Sequence, residues 1–440
     1  MNSELQNNKK ASFISLIPFA FFIFSFLAFG IITESFYTIP SPIAVIIGIA
    51  SAVLLYKGAI NDKMETFIKG CGDSKIITMC IIYLLAGAFA VVTKYIGGVD
   101  AIVNLGLNYF DLRFLPLGVF LVASFLSTAS GTSVGSIVAL GPIVMGFHEV
   151  TPELLPLLAG ALLGGSMLGD NLSMISDTTI AATQSLDCDL KDKFKVNLYI
   201  ALPAAVVTVI ILLFIGFTAP NITAELPVVA VNYWTIIPYL LVIVLAILGL
   251  NVFVTLFIGI LFSGLIGFSF GSLNWITYCT EIYNGFLSMI DIFLLSLLTG
   301  GLAAMVEKQG GIAFLVSKIK KLIKTPKSAQ VGIGVITSCI NSAIANNTVS
   351  IVVAGPIVKD ISDEYQIDNR KSATIMDIFS CIIQGLLPYG AQVLLLLSYE
   401  GTQLSYGQLF ISSFYLYILL IFTLIAIYFK PVDRYLSKMR

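Results

Sequence analysis

Residues 123–144 read ASFLSTASGTSVGSIVALGPIV, and residues 337–358 read TSCINSAIANNTVSIVVAGPIV. The two stretches lie 214 residues apart and agree at nine of 22 positions, with Gly-Pro-Ile-Val closing both. A second pair, LLAGAFAVVTKYIGG at 84–98 and LLTGGLAAMVEKQGG at 297–311, agrees at six of 15 positions at an offset of 213. A nearly constant offset over two separate blocks marks an internal repeat. The zones around them, 114–186 and 328–399, are apolar yet interrupted by Gly, Pro, Ser, Thr, Asn and Asp. Such backbone has to be buried in protein or line a cavity if it lies at membrane depth.

Composition supplies the membrane. The chain has 440 residues, 58% of them apolar and 11% charged, with a mean hydropathy of +0.96. A soluble domain carries about 25% charged residues. The arithmetic excludes a soluble enzyme, a nucleic-acid-binding protein and a disordered chain, and makes the lipid bilayer the main partner. At about 20 apolar residues per crossing, the chain has room for about ten to fourteen hydrophobic segments. Long apolar runs at 12–33, 41–56, 74–96, 195–218, 233–250, 252–270, 286–306 and 407–429 read as transmembrane helices. The first is too long for a signal-peptide core and reads as a retained span. The cysteines Cys71, Cys80, Cys188, Cys279, Cys339 and Cys381 form no metal or redox spacing and read as small core residues. The single histidine, His148, reads as a loop residue.

Loop charges orient the repeat, because cytoplasmic loops are enriched in Lys and Arg. The loop 57–75 holds Lys57, Lys63, Lys69 and Lys75, whereas its counterpart 270–285 has no basic residue. The loop 307–328 holds six lysines, whereas 94–113 has only Lys94 and Arg113. The segments 187–195 and 359–371 are basic, and their counterparts 400–406 and 145–152 are not. Each pair of equivalent loops therefore changes sides. The expected architecture is all-α and polytopic, with residues 1–218 as a first inverted repeat, 219–232 as an extracytoplasmic connector and 233–440 as a second inverted repeat. Both termini are expected in the cytoplasm, and the location is the plasma membrane. Inverted repeats with broken helices at the midplane are a build shared by many secondary transporters.

The broken zones are the candidate site. Segment 114–146 turns at Ser130-Gly131-Thr132-Ser133, and its mirror 328–358 turns at Asn346-Asn347-Thr348. Arms of 15–17 residues favour re-entrant hairpins, with two full spans per zone as the alternative. The next segments break at GDNLSMISDTT (169–179) and QGLLPYGAQ (384–392). Hydroxyl and amide oxygens at such breaks can replace the water shell of a cation, and helix N-termini can face an anionic group. Thr132, Ser133, Asn171, Ser173, Ser176, Thr178, Thr179, Asn346, Asn347, Thr348, Gln384 and Gln392 are the candidate ligands. An ionised Asp near the bilayer centre costs about 2.5–3.5 kcal/mol on insertion scales. Asp170 and Asp177 in one break are thus candidates for proton and cation coupling, and Asp377 and Asp291 are further ones. Asp377 reads either as a proton carrier or as a packed polar residue, and Asp291 equally as a helix-end cap. Na+ would be held through Asp170, Asp177, Ser133 and Asn347. Gly160/Gly164 and Gly165/Gly169 read as close helix-packing pairs. All 24 basic residues fall in loops, tails or span ends, so the membrane interior is expected to carry only negative formal charge.

The GDNLSMISDTT stretch, the following DCDLKDKFKVN, the GTS turn at 131–133 and QGLLPYGAQ resemble the Na+/H+ antiporter NhaC family of the ion transporter superfamily. The resemblance spans about residues 70–430. Asn171 stands where the family commonly has His, and Met174 where it has Pro. The resemblance implies an elevator-type transporter with scaffold and transport subdomains, often a homodimer, needing no cofactor beyond Na+ and H+ as transported ions. It makes an Na+/H+ antiporter the first reading. A transporter of organic acids or amino acids on the same scaffold is the second. An intramembrane aspartyl protease would leave the repeat unexplained.

Overall fold

The computed structural model describes residues 12–32, 41–109, 111–147, 151–174, 176–219, 232–399 and 404–429. His148, most of the 219–232 connector and the charged tails lie outside these residues. The first half runs α1 (Ile17–Ile32), α2 (Ser41–Leu55), α3 (Ile60–Cys71), α4 (Ser74–Tyr95), α5 (Gly98–Tyr109), α6 (Leu115–Ser130), α7 (Ser133–Gly146), α8 (Leu155–Leu172), α9 (Asp177–Ser185) and α10 (Leu190–Thr218). The second runs α11 (Ile237–Ile247), α12 (Val252–Ser269), α13 (Trp275–Ser288), α14 (Ile290–Lys308), α15 (Gly311–Lys320), α16 (Pro326–Ile344), α17 (Asn347–Glu364), α18 (Asn369–Leu386), α19 (Ala391–Ser398), α20 (Tyr406–Ser412) and α21 (Phe414–Tyr428). The same ten-helix plan recurs, and the tenth helix of the second copy is bent by 47° between α20 and α21. Among the described residues seven helices are long and apolar enough to cross a membrane, or eight if that bent pair is one span.

The repeat extends to single hydrogen bonds. Gly131 and Ala345, 214 positions apart, end α6 and α16 in the left-handed conformation, at φ 72° and 54°. Their amides donate back to the Ser127 and Asn341 carbonyls at 2.8 and 2.7 Å. Thr132 and Asn346 then cap α7 and α17 by accepting from the Gly135 and Val349 amides. Each side-chain oxygen satisfies one of the orphan donors of a helix start. Ser127 donates to the Ser166 carbonyl at 2.6 Å, and its counterpart Asn341 donates to the Ser380 carbonyl at 2.8 Å. Two different side chains thus tie each hairpin to the following helix at the same place.

The halves interlock through exchanged contacts. The short helix α9 packs on α17, and its counterpart α19 packs on α7. Likewise α4 packs on α12 and α13, while α14 packs on α2 and α3. Ala182 of α9 sits in an apolar cluster with Ile333, Ile340, Ala354 and Met376 from the second half. Lipid tails offer little hydrophobic drive between helices, so close approach at small residues matters. A Cβ built on Gly169 would lie 2.4 Å from the Ser127 Cβ and 2.5 Å from the Ser124 carbonyl oxygen, which is how tightly α8 presses on α6.

Several expectations change. Segment 57–75, read as a loop, contains the helix α3, and 270–285 contains most of α13. Helix α10 starts at Leu190, five residues before the expected span, because Asp189 caps it by accepting from the Lys191 and Asp192 amides. That early start carries Lys193 into the protein. Arm α7 has 14 residues, about 21 Å at 1.5 Å per residue, too short for a bilayer core of about 30 Å. Of the cysteines, Cys80 and Cys381 are buried, whereas Cys279 is exposed.

Candidate functional site

The polar residues of the first hairpin tip meet the breaks of both halves. Asp170 sits two residues before the end of α8 and is 4% exposed. Ser133, the first residue of α7, donates to Asp170 Oδ2 at 2.7 Å. Ser176, in the break before α9, donates to Asp170 Oδ1 at 2.5 Å. Thr178 shares a 2.9 Å hydroxyl contact with Ser176. From the other half, Gln392 in the first turn of α19 donates its amide to Ser133 Oγ at 2.9 Å. The Gln392 side-chain oxygen is buried and has no partner among the described residues. The result is a carboxylate held by two hydroxyls with an uncommitted carbonyl oxygen one residue away. Buried oxygens without donors are rare, because each carries a desolvation cost.

A second cluster adjoins the first through Asn171. Asp377 of α18 is fully buried and forms an ion pair with Lys193 of α10, itself 1% exposed. Asn171 Nδ2 and Thr179 Oγ1 approach the same Asp377 oxygen at 3.3 and 3.4 Å, and Lys193 also donates to Thr179 at 3.0 Å. Asn197 of α10 donates to the Asn171 carbonyl at 2.5 Å. The side-chain oxygens of Asn171 and Asn197 are buried without partners. Ser173 is buried beside this group at the end of α8.

The second tip contributes less to either cluster. Asn346 caps α17 and is 6% exposed, with its amide on the Met79 sulfur at 3.0 Å. Asn347 and Thr348 are half-buried, the Thr348 amide donating to Asn347 Oδ1 at 3.1 Å. Gln384, which occupies the place of Asp170 in the second copy, donates to the Ala345 carbonyl at 3.1 Å, and its own oxygen is unpartnered.

Three expectations about charge are corrected. Asp177 does not share the buried site with Asp170. It opens α9 at the surface, 65% exposed, and pairs with Lys75 at 2.8 Å. Seven positions separate them, and Ser176, Thr178 and Thr179 stay buried around Asp177, but Asp177 itself is on the outward side of the first turn of α9. Asp291 lies exposed in the first turn of α14. The interior is also not purely negative, since Lys193 is buried against Asp377 and Lys371 is buried with its ammonium on the Ala426 carbonyl at 3.1 Å. Lys193 was hidden in an apparent basic loop. The cap at Asp189 was the signal, because it places Lys193 in the first turns of a helix that continues into an apolar span. Asn197 and Asn341 were missed as well, although Asn197 falls inside the predicted span 195–218.

The model of the Na+/H+ antiporter family matches residues 8–217 and again 218–430, one match in each half. The malate-2H+/Na+-lactate antiporter of Bacillus subtilis is 23% identical over 398 residues, 83% of this chain and 84% of that one. The Na+/H+ antiporter NhaC of Bacillus subtilis is 25% identical over 350 residues, covering 72% and 76%. The arginine/ornithine antiporter ArcD of Halobacterium salinarum is 23% identical over 428 residues, covering 88% and 86%. With both halves matched, the chain belongs to the NhaC-like Na+/H+ antiporter family and is a multi-pass secondary transporter, not an enzyme.

Proposed function

We propose that the protein exchanges Na+ for H+ at Asp170. The observation that carries this reading is a buried carboxylate met by Ser133 and Ser176, with the Gln392 amide on the same Ser133, the Gln392 side-chain oxygen unpartnered and, among the described residues, no cationic side chain bonded to Asp170. Asp377, by contrast, already has its cation in Lys193. A proton on Asp170 and a desolvated Na+ beside it exclude each other, which couples the two fluxes. When Na+ occupies the site, the two hydroxyls turn their oxygens toward it, and Gln392 adds a neutral oxygen. Hard cations prefer such oxygen donors. Asn347 and Thr348 at the second tip are reserves for a different stage of the cycle. The two halves lie inverted, with both termini cytoplasmic, and the hairpin-bearing unit moves against the remaining helices to expose the site alternately.

A second reading is exchange of small organic anions or amino acids. It is favoured by the relatives described as malate/lactate and arginine/ornithine antiporters.

The test is reconstitution into proteoliposomes with a trapped pH dye. An inward Na+ gradient should drive proton efflux, Asp170→Asn should abolish it, and Asp177→Asn should retain it because Asp177 is at the surface. Unchanged exchange in Asp170→Asn would overturn the assignment. Exchange of labelled malate, lactate or arginine with no Na+-linked proton flux would decide for the second reading.

A further inference from the structure

A cavity of about 350 Å3 opens between α3, α4, α14 and the tip of the α16–α17 hairpin. Its walls run from the exposed Glu65, Lys69 and Lys308 to the buried Ile76 and Ile344. A smaller chamber of about 10 Å3 is lined by the same Ile76 and Ile344 and reaches Asn346, Tyr389 and Ala391. Ala391 precedes Gln392, whose amide binds the Ser133 hydroxyl that holds Asp170. Surface, cavity, chamber and buried site therefore follow one another through shared or adjacent residues.

The two volumes do different work. The outer one is at the lower end of small-ligand pockets, which begin at about 300 Å3. The inner one is the size of a single water, about 10–15 Å3. Cargo entering it has to shed most of its hydration shell. At the inner end the Asn346 amide rests on the Met79 sulfur at 3.0 Å. A thioether is a weak acceptor on a flexible side chain, so this contact is cheap to break.

We propose that this cavity is the access route by which cargo reaches the buried site from the face carrying the basic loops, with the Met79–Asn346 contact between α4 and the hairpin tip as its inner closure. The route ends at the site proposed above, but its outer geometry does not depend on which cargo is carried. The charge rule makes that face cytoplasmic. Lys69 and Lys308 on it are held by Glu65 and Thr66, so neither ammonium projects freely across the opening.

The test is accessibility of single cysteines in the full chain after its six cysteines are replaced by serine or alanine. Ala304→Cys and Val349→Cys report the outer cavity from opposite walls, and Ser296→Cys reports the inner chamber. Phe257→Cys, exposed on α12, is the lipid-facing control. An impermeant, negatively charged methanethiosulfonate is added to inside-out or right-side-out vesicles. Ala304→Cys and Val349→Cys should react in inside-out vesicles and not in right-side-out ones. Ser296→Cys should react slowly, and faster when Met79→Ala is added. Reactivity no greater than the control, or reaction only from the opposite face, overturns the route, and no effect of Met79→Ala overturns the closure. The labelling needs no cargo. A protein that labels as expected but shows no Na+-linked proton flux would keep the route and lose the cargo reading. If either outer variant fails to fold, the other carries the test from its own wall.

Discussion

Neutralising Lys193 by Lys193→Met should destabilise the protein more than any surface change, and a second substitution should largely repair it. Lys193 and Asp377 are 1% and 0% exposed, so neither charge can turn to water when its partner is lost. The other contacts of the Asp377 carboxylate, from Asn171 at 3.3 Å, Thr179 at 3.4 Å and the Cys381 thiol at 3.9 Å, are long and come from neutral donors. Removing one member of such a pair costs about 3–5 kcal/mol, because the other is left as an uncompensated buried charge, whereas replacing both with apolar groups of similar volume is often neutral. Lys193→Met and Asp377→Leu should therefore each lose about 3–5 kcal/mol, and the double variant should lose far less than either. The measurement is unfolding in mixed micelles of rising dodecyl sulfate fraction, followed by far-UV circular dichroism, on all four corners of the cycle. A stable Lys193→Met, or effects that add to within about 0.5 kcal/mol, would refute the buried ion pair.

Two further predictions use the same assay. Gly169→Ala places a methyl 2.4 Å from the Ser127 Cβ and 2.6 Å from the Thr128 amide nitrogen, so α6 and α8 have to part. A loss of about 1–3 kcal/mol is expected from such overpacking, and wild-type stability would show that the two helices are not in close contact. Ala345→Gly should stabilise by about 1 kcal/mol, since Ala345 is held at φ 54° where a Cβ crowds the backbone and the equivalent residue of the first tip is Gly131. A less stable variant would refute strain at the second tip.

The tips themselves were legible before any coordinates. Ala345 takes the left-handed turn against its own preference and was legible only through its alignment with Gly131, whereas Gly131 carries that turn, and Thr132 and Asn346 the capping oxygens, in the residues themselves. The same holds for the glycines of α8, whose spacing marks a close-packing face. The site was legible only in part. Asp170 and Asp177 look alike along the chain, seven positions apart in one polar break, yet one is buried under Ser133 and Ser176 and the other faces Lys75 at the surface. Nothing local separates them, because the break at 173–176 redirects the chain by an amount that depends on what α9 packs against in the second half.

Composition determined that this chain spans a membrane, since a hydrocarbon environment tolerates few charges. The constant offset of 213–214 determined that it does so twice with one plan. Only the tertiary structure decided which charges belong to the interior. Lys193 and Asp377 lie 184 residues apart, and Gln392 and Ser133 lie 259 apart. Periodicity and hydropathy are properties of neighbours in sequence. The pairing of a buried charge, or the orphaning of a glutamine oxygen, is decided by which helices of the two halves come to lie side by side.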